Sequence, residues 1–476
     1  MTAIRTRFAP SPTGFLHVGG IRTALFAHLV ARQTGGQFVL RLEDTDQKRE
    51  VEGSAQHIID SLTALGLHYD EGIGKEGNFG PYRQSDRLEI YQTWAQKLID
   101  SGRAYADPYT SNEVQAFREE AQKNKIAFLY RNHRPENPPE WDGTTPLRLK
   151  SDPKSYEWHD EVMGDLHSGP EVVDDIILMK SDGFPTYNFA HIVDDAEMQI
   201  THVIRGQEFL ASMPNYLNIY EALELQHPKF ATMPHIMNEQ GNKKLSKRDG
   251  VKDVLDYIRD GYLPETLVSF IATLGWNDGT EQEVFTKAEL IQKFSLSRVQ
   301  KSGARFDEKR LLWMNGQFIR ELPLDDLYDQ VSHFWPASAK TADEAYMKKV
   351  LSLAQDRLKT LADLPVLTNY FFEVPLQDLS LIDDNKQLKK LSKDDIRSFL
   401  SAAHTALSAC DDWTADQIQN TLNQLLKITG QKPGILFSLI RIATTWAPFS
   451  PQLNDTLELL GKEATLARIA TAIHSI

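Results

Sequence analysis

The chain has 476 residues, more than the roughly 250–300 at which a single hydrophobic core stops growing, so we expect several domains. With 41% hydrophobic and 25% charged residues, the composition is that of an ordinary globular protein and excludes the disordered and fibrous classes. The formal net charge of −14 argues against a nonspecific nucleic-acid binder with a broadly basic surface, but it leaves room for a specific one.

The cysteine content and the N-terminus bear on compartment. Cys410 is the only cysteine, so an intramolecular disulfide and a multi-thiolate zinc site are both excluded. The opening MTAIRTRFAP has no long apolar core, and no apolar run reaches the roughly 18 residues that a spanning helix needs. We therefore expect a cytoplasmic protein that does not associate with a membrane.

The first part of the chain has the pattern of a strand, a loop, a helix and a second strand. Residues 5–9 are predicted to form a short strand that runs into the proline-rich loop APSPTGFLH. GGIRTALFAHLVARQ then has apolar residues at helical spacing and stops at Gly35 and Gly36. QFVLRLEDTD follows as a second strand. This order is typical of the opening of a doubly wound α/β sheet.

The remaining elements predict a multidomain α/β plus all-α protein. Helices are predicted in SAQHIIDSLTALG and in SDRLEIYQTWAQKLIDSG, the latter capped by Ser85. From about Ala104 to Pro170 the pattern becomes rich in proline and asparagine, which indicates an inserted domain. Strands are predicted to return in DDIILMKSDGFPTYNFAHIVDD and THVIRGQEFL. Beyond KKLSKRDG the chain has mostly the pattern of amphipathic helices.

The loop before the first helix is a candidate binding site for phosphate groups. It lies at the carboxyl edge of the predicted sheet, and a helix N-terminus favours negative charge. Gly19 and Gly20 would let a ligand approach the backbone, and His17 would add a donor. No Walker-type phosphate loop is found in the sequence. The alternative is that the loop is only a turn and His17 only a surface or capping residue.

The run Lys244-Leu-Ser-Lys-Arg248 is the second candidate motif. Its cations could neutralise charge that develops on a phosphoryl group in a transition state. Taken alone, it is better explained as a solvated charged segment. The pair formed by His-Val-Gly-Gly after the first strand and Lys-Leu-Ser-Lys-Arg after the last is much more specific than either motif.

The two motifs resemble the HIGH and KMSKS signatures of class I aminoacyl-tRNA synthetases. RFAPSPTGFLHVGG, LRLEDTD, GPYRQSDRLEIY, LMKSDGFPTYNFAHIVDD, HVIRGQEFL and ARFDEKRLLWMNGQFIR resemble the bacterial glutamyl-tRNA synthetases from residue 1 to about 320. The resemblance implies a Rossmann-type catalytic domain in two halves, 1–103 and 179–240, with an inserted acceptor-end-binding domain at 104–178. It further implies a stem-contact domain at 241–320 and helical anticodon-binding domains at 321–374 and 375–476.

The resemblance also implies a reaction. The α-carboxylate of L-glutamate attacks the α-phosphate of ATP, which is bound with Mg²⁺, and glutamyl-adenylate and pyrophosphate result. The glutamyl group then passes to the 3′-terminal adenosine of tRNA(Glu). The implied catalytic residues are His17, Gly19, Gly20, Lys244, Ser246 and Lys247. The implied ATP-binding residues are Pro10, His17, Gly19, Glu208, Ile236, Lys244, Leu245 and Lys247.

The residues of the amino-acid pocket are predicted from the resemblance together with simple chemistry. A γ-carboxylate is best held by a forked guanidinium, and Arg7 and Arg205 match the arginines of the family that bind this group. Glu43 matches the acid that receives the α-ammonium group. Further pocket positions are matched by Ala9, Ser11 and Tyr187. Without the motifs, Glu43 and Arg205 would be ordinary strand-end ion-pair residues, and Tyr187 a core aromatic on a strand.

The sequence departs from the family pattern at three places. Gly20 stands at the fourth position of the first signature where many synthetases carry histidine. Phe209 stands where some relatives carry tryptophan. Many relatives bind zinc through cysteines in the inserted domain, whereas YADPYTS and FLYRNHRPE contain none, so we predict no zinc.

In the C-terminal region, Arg357 aligns with an arginine that favours the anticodon of tRNA(Glu) over that of tRNA(Gln). The alternative is a solvent-facing helix residue. We expect a discriminating enzyme that acts as a monomer, and the nearest alternative is a nondiscriminating enzyme that also charges tRNA(Gln).

Three other functions are weaker. Glutaminyl-tRNA synthetases usually carry Pro-Glu-Pro-Asn-Gly in the opening loop and β-barrel anticodon domains, whereas this chain has Pro-Ser-Pro-Thr-Gly and a helical pattern. The short relatives that glutamylate queuosine in tRNA lack an anticodon-binding region. A non-catalytic RNA-binding paralogue would be expected to have lost His17, Gly19 or Lys247, and all three are intact.

Overall fold

A computed structural model of the chain describes residues 3–246, 252–447 and 449–476. The chain divides into two compact units. The first contains Met1–Tyr257 and Leu267–Glu308, and the second contains Ile258–Thr266 and Lys309–Ile476. The second unit therefore begins inside the range predicted for a stem-contact domain.

The elements up to the end of the first unit are a mixture of strands and helices. In chain order they are β1 (Arg5–Phe8), α1 (Val18–Gln33), β2 (Gln37–Leu40), α2 (Ser54–Ala64), β3 (Glu71–Gly72), α3 (Leu88–Asp100), β4 (Ala104–Ala106), α4 (Ser111–Lys123), β5 (Leu147–Leu149), β6 (Tyr156–Asp160), β7 (Gly164–Ser168), β8 (Ile177–Met179), α5 (Tyr187–Glu197), β9 (His202–Gly206), α6 (Met213–Ala222), β10 (Lys229–Met233), β11 (Ile236–Met237), α7 (Val254–Arg259), α8 (Pro264–Ala272), α9 (Lys287–Lys293) and β12 (Ala304–Arg305).

The main sheet has seven strands in the order β3-β2-β1-β9-β10-β6-β7. All neighbours are parallel except β6 and β7, which form an antiparallel hairpin. The chain moves outward from β1 through β2 to β3, and later returns to the other side of β1 with β9. This reversal is the switch point at which open α/β sheets bind ligands, beyond the carboxyl ends of the strands. The predicted Rossmann-type α/β class is confirmed.

Helix α1 packs deep in the first unit, because most of its residues are apolar and buried. It starts after His17 and is followed by Gly35 at a φ of +65°, so the predicted glycine stop is confirmed. Two other local predictions are wrong. The side chain of Ser85 does not cap α3, because its hydroxyl donates to Asp44 Oδ2 at 2.7 Å. Tyr187 is the first residue of α5 rather than part of a strand.

The sheet topology cuts across the limits that we predict for the inserted domain. Strands β4, β5 and β8 form a separate three-stranded antiparallel sheet, as expected for an insertion. Strands β6 and β7 lie between them in sequence but extend the main sheet beyond β10. The reason is nonlocal pairing: Asp160 at the end of β6 accepts hydrogen bonds from the backbone and hydroxyl of Thr232 on β10, at 3.1 and 2.6 Å.

A network of buried polar side chains holds the separate sheet together. Arg148 Nε donates to Asp107 Oδ2 at 2.6 Å, and the Tyr130 hydroxyl donates to Asp107 Oδ1. The Arg148 guanidinium also stacks 3.3 Å from the centroid of the Tyr130 ring. Tyr105 donates to the fully buried Asp175 at 2.8 Å. These contacts join the segments that contain YADPYTS and FLYRNHRPE, the two places where many relatives hold zinc.

The second unit is helical. Its helices are α10 (Glu308–Glu321), α11 (Leu324–Gln330), α12 (Glu344–Ala354), α13 (Leu364–Thr368), α14 (Ser380–Asp383), α15 (Lys393–Ser408), α16 (Ala415–Thr429), α17 (Pro433–Thr445), α18 (Leu453–Leu460) and α19 (Lys462–Ser475). One core forms around Ile319, Leu351 and Leu358, and another around Leu400, Leu422 and Leu439. The helical character predicted for the C-terminal region is confirmed. No helix in the described ranges combines the length and apolar character needed to cross a bilayer.

The side-chain network around Asp107 predicts that the inserted sheet needs no metal. Treatment with a chelator should leave the hydrogen-exchange protection of the β4 and β5 amides unchanged. Asp107→Asn should lower that protection by about 3 kcal/mol, because it removes one partner of a buried ion pair. Asp142→Asn is the control, since the Asp142 carboxylate is exposed and bonds only to its neighbour Thr144. Loss of protection after chelation would contradict the prediction.

Candidate active site

A large cavity of the first unit lies at the carboxyl ends of β1 and β9, where the topology places a ligand site. Its volume is about 490 Å³, within the range of small-molecule sites. The cavity brings together predicted site residues from distant parts of the chain, namely Arg7, Ala9, Pro10, Ser11, His17, Gly19, Gly20, Glu43, Tyr187, Arg205, Glu208, Ile236 and Lys244. A smaller adjoining cavity adds Leu245 and Ser246. Lys247 lies outside the described residues.

The floor of the cavity is a network of buried charges. Arg7 Nε on β1 donates to Asp195 Oδ1 at 3.0 Å, and Arg41 Nη1 donates to the same oxygen at 2.8 Å. Arg41 Nη2 donates to Glu43 Oε1 at 2.9 Å. The two arginine neighbours lower the pKa of the buried Asp195 to about 2 against the opposing effect of burial. Asp195 therefore stays ionised and fixes both guanidinium groups.

A second buried carboxylate lies beside this network. Asp194 accepts hydrogen bonds from Arg87 Nε at 2.7 Å, from the Tyr91 hydroxyl at 2.9 Å and from the Gln84 amide at 2.8 Å. Arg41 Nε lies 3.6 Å from it. The side chain of Asp194 is fully buried, and its partners come from the segment before α3 and from α3 itself. Asp194 thus anchors α5 beneath the sheet.

Arg205 on β9 has no carboxylate partner among the described residues; Arg22, which also lines the cavity, lacks one too but donates to the backbone carbonyls of Leu274 and Pro234. The residue exposure of Arg205 is 5%, and its Nη1 atom is buried with no hydrogen-bond partner. Its Nη2 atom contacts Met213 Sδ, and the guanidinium lies 4.8 Å from the Tyr216 ring centroid. A buried cation that lacks an acid is costly unless a ligand supplies the negative charge.

Aromatic rings form one wall of the cavity. Tyr187 stacks on Phe209 with ring centroids 5.3 Å apart, so Phe209 takes the place of the tryptophan in some relatives. Tyr187 also lies 4.8 Å from the ring of His191, which is buried on α5. Burial and the nearby Arg205 hold the pKa of His191 well below its ordinary value. His191 is therefore neutral and adds no charge to the site.

Glu43 is the acid that faces the cavity from the end of β2. Its residue exposure is 5%. Burial raises the pKa of its carboxyl group, while Arg41 and Arg7 oppose this effect. An ammonium group bound beside Glu43 would favour the ionised carboxylate further. The position suits the α-ammonium group of an amino acid.

His17 has a capping role in this structure, which was the alternative left open by the sequence. Its Nδ1 atom accepts hydrogen bonds from the N–H groups of Gly19 and Gly20, at 3.1 and 3.3 Å. These N–H groups are therefore not directed at a ligand, contrary to the expectation that they would meet a phosphate. Because Nδ1 accepts, the ring proton lies on Nε2. A β-carbon on Gly20 would lie 2.6 Å from Leu16 Cδ1, so a larger residue there would require the Leu16 side chain to move.

Lys244 lies at the opposite side of the cavity, in a turn after β11. The N–H of Leu245 donates to Ile236 O at 2.8 Å, and this bond holds the start of the basic run against β11. Lys244 Nζ lies 3.9 Å from Glu208 Oε1, and both side chains are about half exposed. His235 Nδ1 is also 3.9 Å from Glu208. Lys244 is thus a solvent-accessible cation at the mouth of the cavity.

Among the residues that the structure describes, no cluster of three or more histidine, cysteine, aspartate or glutamate side chains could hold a metal ion.

Arg357 lies in the second unit, as the exposed last residue of a short 3₁₀ helix. The amide of the neighbouring Gln355 donates to the carbonyls of Ile319 and Leu322 at 2.9 Å.

Sequence reasoning missed three residues that build the cavity floor, namely Arg41, Asp195 and His191. A signal was present in LRLED and HIVDD, because arginine and paired aspartates are unusual inside otherwise apolar buried segments. Their pairing was hidden, since Arg41 and Asp195 are 154 residues apart in the chain.

Comparison with known proteins agrees with this geometry. The model of the catalytic domain of class I tRNA synthetases for E and Q matches residues 3–313, and an anticodon-binding-domain model matches residues 326–473. The glutamate–tRNA ligase of Geobacillus thermodenitrificans is 39% identical, with 99% of each chain covered. That of Prosthecochloris aestuarii is 38% identical and covers 99% of this chain and 98% of the relative.

A solved structure supports the same assignment. The crystal structure of a glutamate tRNA ligase from Elizabethkingia meningosepticum, in complex with its amino acid, superposes with a TM-score of 0.88 at 31% identity. It covers 99% of both chains. The chain belongs to the glutamate–tRNA ligases within the class I synthetases.

The unpaired Arg205 predicts a specific loss of glutamate affinity in Arg205→Lys. Lysine provides a charge but not the forked donor pair, so the KM for glutamate should rise about 10–150-fold, equivalent to about 1.5–3 kcal/mol. The KM for ATP in ATP–pyrophosphate exchange should stay unchanged. Arg83→Lys is the control, because Arg83 is partly exposed and pairs with Asp44 and Glu50. An unchanged KM for glutamate would contradict the role of Arg205.

His191 predicts a loss of stability on acidification. The unfolded histidine takes up a proton below a pKa of about 6.5, whereas the buried ring does not, so unfolding becomes easier by up to about 1.4 kcal/mol per pH unit. Urea unfolding at a series of pH values gives the number of protons taken up on unfolding. In His191→Phe this number should be smaller by about one between about pH 6.5 and about pH 5. Some proton uptake should remain, because burial also lowers the pKa of His28 to about 3. An unaltered number would show that His191 is charged in the folded protein.

Proposed function

We propose that this ligase joins L-glutamate to the 3′-terminal adenosine of tRNA(Glu) by way of glutamyl-adenylate, with ATP as the energy source. One observation carries the proposal: the buried guanidinium of Arg205 lacks an acid, in a cavity that also contains Arg7 and Glu43. The terminal carboxylate of a ligand would pair with Arg205, and an ammonium group on the same ligand would pair with Glu43.

The balance of buried charge supports glutamate as the amino acid. Four buried guanidinium groups, those of Arg7, Arg41, Arg87 and Arg205, accompany three buried carboxylates, those of Glu43, Asp194 and Asp195. These seven groups together carry one excess positive charge when all are ionised, and the buried Arg22, which also lines the cavity, adds a further guanidinium that donates to backbone carbonyls. Free glutamate has two carboxylates and one ammonium group and is a net anion. Its γ-carboxylate would lie against Arg205 and Arg7, and its α-ammonium group against Glu43.

The nucleotide would occupy the side of the cavity between His17 and Lys244. The Nε2–H of His17 would donate to the α-phosphate, and Lys244 would neutralise the charge of the departing pyrophosphate. No general base is needed, because the attacking α-carboxylate is already ionised. The chain would accelerate the reaction by holding the carboxylate in line with the phosphorus and by stabilising its charge. Mg²⁺ would enter with ATP, as part of the substrate complex.

Further residues at the mouth of the cavity would complete the nucleotide site. The Glu208 carboxylate is exposed and could accept hydrogen bonds from ribose hydroxyls. Pro10, Ile236 and Leu245 would form its apolar lining, and Ser246 and Lys247 would act with Lys244 on the phosphates.

The second unit would read the anticodon. Unstacked RNA bases are recognised by hydrogen bonds to their edges and by stacking on arginine planes. Arg357 has the exposure that this role requires. We propose that it favours tRNA(Glu) over tRNA(Gln) and that the enzyme acts as a monomer.

The test is glutamate-dependent ATP–pyrophosphate exchange, run without RNA, with tRNA(Glu) and with tRNA(Gln). We expect exchange with tRNA(Glu) only. Lys244→Ala should slow exchange by about 100-fold or more, because it removes a cation from the developing phosphoryl charge. Its KM for glutamate should remain unchanged, since Lys244 lies away from Arg205. Lys243→Ala is the neighbouring control.

Three other outcomes of the exchange assay would contradict part or all of the proposal. Exchange with both tRNAs would contradict the role of Arg357 and indicate a nondiscriminating enzyme. Exchange driven by glutamine rather than glutamate would contradict the proposal that Arg205 binds a γ-carboxylate. Absence of exchange with any RNA would overturn the proposed function.

A further inference from the structure

His57 on α2 connects two segments that approach the active site from different parts of the first unit. Its Nδ1 atom accepts a hydrogen bond from the N–H of Leu16, the residue before His17, at 3.4 Å. Its Nε2 atom lies 3.5 Å from Asp253 Oδ2. Asp253 comes shortly after the basic motif that begins at Lys244 and directly before α7.

The opening loop is fixed to the start of α2 by several bonds besides this one. The N–H of Val51 donates to Pro12 O at 2.8 Å, and the Ser54 hydroxyl donates to Gly14 O at 2.8 Å. The Phe15 ring stacks on the His57 imidazole with centroids 4.6 Å apart and an angle of 25° between the planes. The His57 contact is the last of this series before His17 in the sequence, because it holds the N–H of the adjacent Leu16.

The hydrogen bonds of His57 fix its tautomer. Because Nδ1 accepts from Leu16, the proton must lie on Nε2, which is 3.5 Å from Asp253 Oδ2, within ion-pair distance but without a hydrogen bond. Asp253 is itself held in place, since its Oδ1 accepts the N–H of Asp256 in the first turn of α7 at 3.0 Å. The side chains of His57 and Asp253 are only 12% and 21% exposed, so solvent weakens their attraction less than at the surface.

We propose that His57 is a positioning residue for adenylate formation, which sets the opening loop that bears His17 in register with the chain that follows the basic motif. This inference rests on the proposed function, because it gives His57 a part in the same reaction. A misplacement of about 1 Å in a catalytic group can cost about 100-fold in rate. The contact to Asp253 thus makes the placement of His17 depend on a second segment of the site.

The test measures ATP–pyrophosphate exchange in His57→Phe, His57→Gln and Asp253→Asn. Phenylalanine keeps the ring that stacks on Phe15 but removes both nitrogens, so exchange should slow by about 10–100-fold. Glutamine has an acceptor and a donor and should restore part of the rate. The KM for glutamate should not change in any variant, because Arg205 and Glu43 are left intact. A general loss of structure would alter the KM for both substrates together.

Asp253→Asn and the double variant complete the experiment. Asp253→Asn should slow exchange in the same direction, and adding it to His57→Phe should cause little further loss, since the two residues act as a pair. The control pair is His159 and Asp165, an exposed histidine and aspartate 2.6 Å apart on the β6–β7 hairpin. His159→Phe and Asp165→Asn should exchange at the wild-type rate.

Three results would overturn the inference. The first is a wild-type exchange rate in His57→Phe. The second is an equal rise of the KM for glutamate and for ATP in that variant. The third is an exchange rate in the double variant that falls by the product of the two single-variant losses, which would show that the residues act independently. If His57→Phe does not fold, Asp253→Asn alone decides, and a wild-type rate there rejects the coupling. Failure of the proposed function is distinguishable, because the wild-type protein would then show no exchange at all.

Discussion

The structure of the site depends on one electrostatic constraint, the sharing of three buried carboxylates among four buried guanidinium groups. Charges out of water are tolerated when they are paired and hydrogen-bonded, and Arg7, Arg41 and Arg87 satisfy that condition. Arg205 does not, and its Nη1 atom has no partner among the described residues. A glutamate side chain would supply the missing charge. A glutamine side chain would leave it uncompensated, so the network itself favours the acid over the amide.

The same charges hold the divided catalytic domain together. Strands buried on both faces of a parallel sheet are usually apolar, yet β1 carries Arg5 and Arg7. Arg7 pairs with Asp195 on α5, which is 188 residues further along the chain and beyond the inserted sheet. Arg87 pairs with Asp194 on the same helix. The ion pairs of Arg7 and Arg87 therefore join the segments before and after the insertion, so a change in them would affect both the cavity and the stability of the domain.

Sequence reasoning succeeded where a local pattern decides the outcome and failed where distant partners decide it. The strand–loop–helix opening, the glycine after α1 and the motif residues around the cavity follow from short segments. Ser85 would cap a helix in isolation, but Asp44 takes its hydroxyl. Likewise the β6–β7 hairpin belongs to the main sheet because Asp160 pairs with Thr232. Arg41 and Asp195 have no local signature of their pairing, so their contribution becomes visible only when the sheet is assembled.

His17 can fill both roles that the sequence allows, which are a cap of α1 and a hydrogen-bond donor to a phosphate group. As a cap, it occupies the first N–H groups of α1 through Nδ1, and these groups no longer point at a phosphate. The same bonds commit the ring proton to Nε2, which makes the other side of the ring a fixed donor. In the proposed reaction, the helix terminus would act on the nucleotide through the histidine. Exposed cations such as Lys244 would then neutralise the phosphate charge, whereas buried cations would hold the amino acid. This division is consistent with the chemistry, because pyrophosphate must leave after the first step while the glutamyl group must stay.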